Sequence, residues 1–383
     1  MGGGPTAPLA DRRVGRDALV SLTSLRWFAA ALVVFYHLDR QVGVPSPVAL
    51  LAWFGRSGVT FFFVLSGVVL AWTYAGRLPT LGVFWWRRLA RIWPLHLVAT
   101  GLSVLVYIAM GQPPTTRGVA FAIPLLHAWF PQPDIIRGGN GATWSLSDEA
   151  AFYLVFPFLL PAAVFWVRSL RRATIVGATA TVLMGLAWWW SGLTLSPTYR
   201  SWFLDYFPPT RLCQFIVGVA FGTLLARGWR PRLGLLAPTL ALLAVQAGLA
   251  WWGTLVPEPG TWSPYSASQL LTTPFFLWLI LAAAGRDLRG SSGWLGNAWL
   301  VRLGHWSFAW YLSHEIVIRL FVHLVGRPAT RGGIVSAWAV VLLVSTTLAW
   351  ALYTWVEHPV EQRLRRLVPR RQRAGGLVTD SPS

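Results

Sequence analysis

The chain has 383 residues, of which 55% are hydrophobic and 12% charged, a composition too apolar for an ordinary water-soluble domain. Its formal net charge of +19 is carried by arginines in short clusters between apolar stretches, a pattern that excludes nucleic acid as the partner and favours the lipid bilayer. The single cysteine, Cys213, excludes an internal disulfide framework and a cysteine-based zinc site, and we expect no metal.

Ten apolar stretches, separated by charged or Pro/Gly-rich breaks, are long enough to cross roughly 30 Å of hydrocarbon. They predict an all-α polytopic membrane protein with a transmembrane domain over 20–365 and tails at 1–19 and 366–383. The first stretch lacks a small-residue cleavage site, so we expect it to remain in the mature chain. The predicted spans are 20–40, 52–75, 92–110, 150–167, 173–193, 211–226, 233–252, 270–285, 303–325 and 334–356.

Most of the arginines fall at the termini and in alternate connections between the predicted spans. The positive-inside rule therefore predicts that both termini are cytoplasmic. The longest outer connection, residues 111–149, contains a Gly-Gly-Asn-Gly turn at 138–141, and connections of this length are usually functional or disordered.

The first span contains two ionisable residues, Arg26 and His37. Eleven helical steps return to nearly the same face, about 16 Å further along the axis, so we expect both side chains to point into one cavity. Ionisable groups within a span are costly and usually face a bundle interior or a water-filled path. The alternative is a snorkelling arginine at one end and an incidental histidine near the opposite interface.

A second cluster opens the third span, where Arg88 and Arg91 are spaced i,i+3 and share one helix face. Paired guanidinium groups at a cytoplasmic helix start can bind phosphates through bidentate hydrogen bonds. The alternative is a positively charged flank that touches anionic lipid.

A third cluster, WSLSDEAAFYLVFP, lies where the outer connection meets the fourth span. Asp148 and Glu149 can stabilise the helix N-terminus through its dipole, with Ser145 or Ser147 as the capping residue. The other interpretation is that a carboxylate here orients or stabilises the imidazole of His37.

The ninth span brings Tyr311, His314, Glu315 and Arg319 to membrane depth. We expect Glu315 and Arg319, spaced i,i+4, to neutralise each other, which leaves His314 open to a functional role. Arg211 leads another span and is a further candidate residue.

The ordered set of these motifs resembles the acyltransferase-3 family of bacterial membrane acyltransferases over roughly residues 20–365. Arg26 and His37 look like the family's arginine/lysine-to-histidine signature, and Arg88 and Arg91 look like its paired-arginine segment. The stretches FFFVLSG and WSLSDEAAFY resemble its other hallmarks. The chain departs from the pattern at Asp148, often hydrophobic in the family, and at Ala150, where a second glutamate is common.

The resemblance implies an O-acyltransferase of the bacterial cytoplasmic membrane that binds no permanent cofactor. Acyl-CoA, in the first instance acetyl-CoA, is the expected donor, and a hydroxyl of a carbohydrate, cell-surface glycan or secondary metabolite is the expected acceptor. We expect His37, Arg26 and Glu149 to be catalytic, with His37 as general base, and Arg88 and Arg91 to bind the donor. The expected acceptor-binding residues are Trp144, Ser147, Tyr153, Arg211, Tyr311 and His314.

Two alternatives accompany this interpretation. Within the same enzyme class, a macrolide-type natural-product O-acyltransferase differs only in its acceptor. From another class, a proton-coupled transporter or exporter also needs intramembrane Arg, His and Glu. The sequence shows no inverted repeat and no matching pair of Gly/Pro-broken helices, which favours the enzyme.

Overall fold

The computed structural model describes residues 19–44, 49–256 and 262–367. The two predicted tails, 1–19 and 366–383, lie almost entirely outside the described residues. Their cytoplasmic location therefore stays a prediction. The described ranges are helical with short connections and contain no strand, which confirms the all-α prediction.

The helices follow one another along the chain with few interruptions. In chain order they are α1 (Val20–Val42), α2 (Ala49–Phe54), α3 (Gly58–Tyr74), α4 (Leu81–Ala109), α5 (Thr116–Ala122), α6 (Pro133–Ile136), α7 (Trp144–Trp166), α8 (Leu170–Thr194), α9 (Pro197–Asp205), α10 (Pro208–Ala226), α11 (Leu236–Leu255), α12 (Pro264–Asp287), α13 (Ala298–Val325), α14 (Arg331–Leu352) and α15 (His358–Arg366). A π-helical turn, Tyr353–Glu357, joins α14 to α15.

Ten helical segments in the described ranges are long and apolar enough to cross a membrane, as predicted. Several of them begin well before the predicted boundary, including those that begin at Leu81 instead of 92, at Trp144 instead of 150 and at Pro264 instead of 270. Hydropathy identifies only the apolar part of a helix, whereas polar side chains that face a bundle interior can continue it. The arginines of α4 and the serines of α7 therefore lie within helices rather than in the connections.

The centre of the bundle depends on close contact between α3 and α10. A Cβ atom added to Gly67 would overlap the carbonyl oxygen of Phe215, and one added to Gly218 would overlap that of Val64. Small residues let two membrane helices approach until their backbones touch. Gly67 ends the FFFVLSG stretch, so this part of the motif serves helix packing.

A similar contact sets the positions of α1 and α13. A Cβ atom added to Gly304 would overlap the carbonyl oxygen of Thr23. Further along the same pair of helices, the rings of Trp27 and Trp310 stack with centroids 4.0 Å apart. The face of α1 that carries Arg26 and His37 is therefore held beside α13.

We predict that Gly218→Val destabilises the protein, because the added side chain meets the backbone of α3 and forces α3 and α10 apart. Overpacking of this kind costs about 1–3 kcal/mol of unfolding free energy. Gly101→Val in α4 is the matched control, since a Cβ atom there meets nothing within 4 Å. The two variants are compared by unfolding of the purified protein in detergent. Equal stability of the two would contradict the proposed contact.

Candidate active site

Two neighbouring cavities lie along α1, and we name each after its residue on that helix. The Arg26 cavity has a volume of 180 Å³, and the His37 cavity has a volume of 740 Å³. Residues lining the Arg26 cavity include Arg26, Ser66, Arg88, Arg91, Glu149 and Tyr153. Residues lining the His37 cavity include His37, Arg56, Trp144, Asp205, Arg211 and Glu315.

Arg26 and His37 do not share one cavity, which corrects the prediction from their spacing. Val59 and Tyr311 line both cavities and form the wall between them. The hydroxyl of Tyr311 lies 2.8 Å from the Oγ atom of Ser145, a hydrogen bond that holds the phenol ring in this wall. Helical spacing correctly put the two charges on one face, but side chains of other helices divide the space along that face.

Arg91 is held by two carboxylates from the last helical segments. Its Nη1 atom donates to Glu357 Oε1 at 2.6 Å and to Glu361 Oε2 at 3.0 Å. Glu357 ends the π-helical turn, and its side chain is only 1% exposed. Single π turns inside longer helices often occur at functional sites. The charge of Arg91 is therefore already neutralised within the protein.

Arg88 and Arg26 keep their charges available to the Arg26 cavity. Arg88 donates to the hydroxyl of Tyr74 at 3.4 Å, and its guanidinium carbon lies 5.8 Å from the ring centre of Tyr153. Within the described parts of the chain, neither Arg26 nor Arg88 forms an ion pair. The two guanidinium groups can therefore bind an anion that enters this cavity.

Glu149 belongs to the Arg26 cavity and does not line the His37 cavity. Its Oε1 atom accepts hydrogen bonds from the hydroxyl of Tyr153 and, at 3.3 Å, from Ser66 Oγ. The sequence interpretation placed Glu149 beside the imidazole of His37. The structure instead places Glu149 in the other cavity. Asp148, its neighbour on α7, is fully buried and lines neither cavity.

Glu315 is the carboxylate that acts electrostatically on His37 and lines the same cavity. It accepts from Arg319 Nη2 at 2.5 Å, which confirms the predicted i,i+4 pair. A Cβ atom on Gly141 would lie 2.9 Å from Glu315 Oε2, so the Gly-Gly-Asn-Gly turn packs closely over this carboxylate.

His314 is fully buried, and its ring centroid lies 5.1 Å from that of His37. The Nδ1 atom of His314 lies 2.7 Å from the carbonyl oxygen of Tyr311. Because a carbonyl can only accept, Nδ1 must carry the proton, and Nε2 is left as an acceptor. That Nε2 atom has no hydrogen-bond partner among the described residues. His314 therefore contacts the ring of His37 but does not line its cavity.

Of the other predicted acceptor residues, four line one or both cavities and one, Ser147, lines neither. Trp144 and Arg211 line the His37 cavity, with Tyr311 in its wall and Tyr153 in the Arg26 cavity. Ser147 lines neither cavity, because its Oγ atom donates to the carbonyl of Leu125 at 2.6 Å and fastens the outer connection to α7.

The predicted serine cap of this helix is wrong. Helix α7 begins at Trp144 with Thr143 as its N-cap, and no side chain makes the capping hydrogen bond. Ser145 and Ser147 instead lie within the helix and bond to other segments.

Sequence reasoning missed an ion pair and an anchoring amide on the His37 side. Arg56 pairs with Asp205, which also accepts from Gln269 Nε2 at 2.5 Å. Asn140 donates to the carbonyl of Leu312 at 2.8 Å and joins the outer connection to α13. Isolated charges at the ends of apolar segments were the available signal for Arg56 and Asp205, but the sequence does not show that they meet.

Comparisons with known proteins identify the family to which the chain belongs. A family model described as an acyltransferase domain matches residues 19–356. The chain is 33% identical to Acyltransferase MdmB of Streptomyces mycarofaciens, over 92% of this chain and 94% of that protein. It is 28% identical to the exopolysaccharide production protein ExoZ of Rhizobium meliloti (strain 1021), over 84% and 93% respectively.

A third relative is nodulation protein 10 of Rhizobium leguminosarum bv. viciae, with 25% identity over 91% of this chain and 94% of that protein. No solved structure matches the chain significantly. The family match runs through both cavities, from the start of α1 to the π-helical turn. The chain therefore belongs to the acyltransferase-3 family and is an acyltransferase that transfers groups other than amino-acyl groups.

Proposed function

We propose that this protein is a multi-pass O-acyltransferase of a bacterial cytoplasmic membrane. It moves an acyl group from acyl-CoA to a hydroxyl of a carbohydrate, cell-surface glycan or secondary metabolite. Acetyl is the acyl group that we expect. The observation that carries the proposal is the pair of neighbouring cavities that share Val59 and Tyr311 in their linings. A transferase needs two binding sites that meet where the group is passed.

The Arg26 cavity is the proposed donor site. Arg26 and Arg88 face it without an ion pair in the described part of the chain, and guanidinium groups bind phosphates by paired hydrogen bonds. Its volume of 180 Å³ is below the usual range for small-molecule sites, roughly 300–1,000 Å³, so this cavity would hold only the part of the donor that lies next to these arginines. With the termini in the cytoplasm, this cavity lies towards the compartment that contains acyl-CoA.

The His37 cavity is the proposed acceptor site. Its volume of 740 Å³ lies in the usual range for small-molecule sites, roughly 300–1,000 Å³. His37 accepts the proton of the acceptor hydroxyl while the hydroxyl oxygen forms a bond to the thioester carbonyl carbon. The carbon–sulfur bond then breaks, and the departing CoA thiolate takes the proton from the imidazolium. Glu315, rather than Glu149, stabilises that imidazolium.

Two kinds of acceptor fit this site. A glycan is supported by the name of the Rhizobium meliloti relative, which refers to exopolysaccharide production. A secondary metabolite, including a macrolide, is the second candidate because the cavity is large enough to enclose a compact small molecule. Family membership favours either of these over a transporter or exporter, since the shown class is a transferase.

We predict that His37→Ala lowers kcat about 100- to 10,000-fold, the usual loss when a general base is removed. The measurement is CoA release in the presence of acceptor, with the purified protein in lipid. His358→Gln is the control, because His358 is exposed and lines neither cavity. Near-normal turnover of the His37 variant would exclude it as the base.

We predict that Arg88→Gln raises the KM for acyl-CoA about 10- to 100-fold with a smaller effect on kcat. Hydrogen bonds to a charged group contribute about 1.5–3 kcal/mol, and each 1.4 kcal/mol is tenfold in affinity. Arg87→Gln is the matched control, since Arg87 is the preceding residue and lines neither cavity. An unchanged KM for acyl-CoA in the Arg88 variant would mean that Arg88 does not bind the donor and serves only as a positively charged flank of the span.

Arg91→Gln should act mainly on stability, because it leaves Glu357 buried without its charged partner. Breaking a buried pair in this way costs about 3–5 kcal/mol of unfolding free energy. Adding Glu357→Gln should recover much of the loss, since the uncompensated charge is then removed. The comparison uses unfolding of the single and double variants in detergent. Equal stability of the single variant and the parent protein would argue against the proposed pair.

A further inference from the structure

Arginines gather around the His37 cavity. Six of them line it, whereas only two carboxylates do so among the described residues. The arginines are Arg40, Arg56, Arg137, Arg211, Arg319 and Arg327, and the carboxylates are Asp205 and Glu315. Other arginines on the same side of the bundle, such as Arg117 and Arg331, do not line the cavity.

Both carboxylates are already paired with arginines. Asp205 pairs with Arg56, and Glu315 pairs with Arg319 at 2.5 Å. The other four arginines form no ion pair within the described ranges. Three of these, Arg40, Arg137 and Arg327, are exposed and surround the opening of the cavity. The cavity therefore has a surplus of positive charge, and a cleft lined by one sign of charge concentrates ions of the other sign.

The fourth, Arg211, is only 1% exposed and reaches the cavity from α10. Its guanidinium carbon lies 4.9 Å from the ring centre of Phe63. Its Nε and Nη1 atoms have no hydrogen-bond partner among the described residues. Buried N–H groups that lack a partner are costly, so a ligand oxygen that reached them would be bound favourably.

Asp148 does not accept a hydrogen bond from the unpartnered N–H groups of Arg211. It acts electrostatically on Arg211, but the two side chains form no ion pair, and both Asp148 oxygens lack hydrogen-bond partners in the described part of the chain. Asp148 also lines neither cavity. It offsets part of the charge of Arg211 without occupying the N–H groups.

We infer that the His37 cavity binds an oxyanion, and that the acceptor carries a carboxylate or phosphate in addition to the hydroxyl that is acylated. The exposed arginines attract this group to the opening, and Arg211 binds it inside. The inference rests on the proposed function only in naming the ligand as the acceptor, because anion binding itself requires no acyl transfer. The phosphate of an anionic lipid headgroup offers the same chemistry, and the experiment separates the two sources.

The probes are 4-nitrophenyl β-D-glucuronide and 4-nitrophenyl β-D-glucoside, which differ by a carboxylate in place of a hydroxymethyl group. Equilibrium binding to the full chain is measured without acyl-CoA in nanodiscs of phosphatidylcholine. We expect the glucuronide to bind at least about tenfold more tightly at low salt, as one charge-assisted hydrogen bond would provide. We expect the preference to shrink as salt increases. No preference for the glucuronide overturns the inference.

Arg211→Gln should reduce the preference to less than about twofold, because it removes the buried guanidinium that binds the anion. Arg137→Gln with Arg327→Gln should lower the preference at low salt without abolishing it, because these exposed arginines only attract the anion. The matched control is Arg117→Gln with Arg331→Gln, which removes two exposed arginines from the same side but outside the cavity. A preference that survives Arg211→Gln, that is unchanged in the Arg137 and Arg327 double variant, or that the control pair abolishes places the anion elsewhere and overturns the inference.

Nanodiscs that contain phosphatidylglycerol test the second source. Retention of the glucuronide preference supports an acceptor, whereas its loss to competing lipid identifies a headgroup site and overturns the inference. The proposed function is judged separately by acceptor-dependent CoA release. A glucuronide preference without transfer contradicts only the proposed function, and transfer without a preference contradicts only this inference.

Discussion

A charged side chain within a membrane-spanning bundle needs either a partner of opposite charge or a polar cavity, because hydrocarbon offers it neither. The interior of this protein follows from how individual residues meet that requirement. Glu315 and Arg319 pair along one helix, and Arg91 pairs with Glu357 across two helices. Arg26 and Arg88 instead face a cavity. The pair between Arg91 and Glu357 links different helices, whereas the unpaired arginines remain available for a ligand.

Close helix packing keeps the two cavities apart. Gly67 and Gly218 let α3 and α10 touch, and Val59 of α3 and Tyr311 of α13 line both cavities. A donor and an acceptor that approach from opposite sides of such a wall meet only at the reacting atoms. If the donor is a thioester, as we propose, excluding water from that point would limit its hydrolysis, a competing reaction for an acyltransferase.

Membership of the family establishes the class of reaction, but the relatives do not share one named role. Acyltransferase MdmB and the exopolysaccharide production protein ExoZ both align with most of this chain. A fold that serves different acceptors can keep its donor site while its acceptor cavity varies. Under our proposal that the His37 cavity is the acceptor site, its arginine-rich lining is where selectivity among acceptors would be encoded. The excess of arginines over carboxylates in this lining favours an acceptor that carries an anionic group.

The sequence by itself determined the membrane class, the ten spans and the pairing of Glu315 with Arg319. These features depend on composition or on neighbours along one helix, and both are visible in a single chain. It also singled out Arg26, His37 and Arg88, because charges in apolar stretches are conspicuous. Only the tertiary structure decided that Arg26 and His37 line different cavities, that Glu315 rather than Glu149 acts on His37, and that Arg91 is already paired. Those outcomes depend on contacts between helices far apart in sequence, which helical periodicity does not contain.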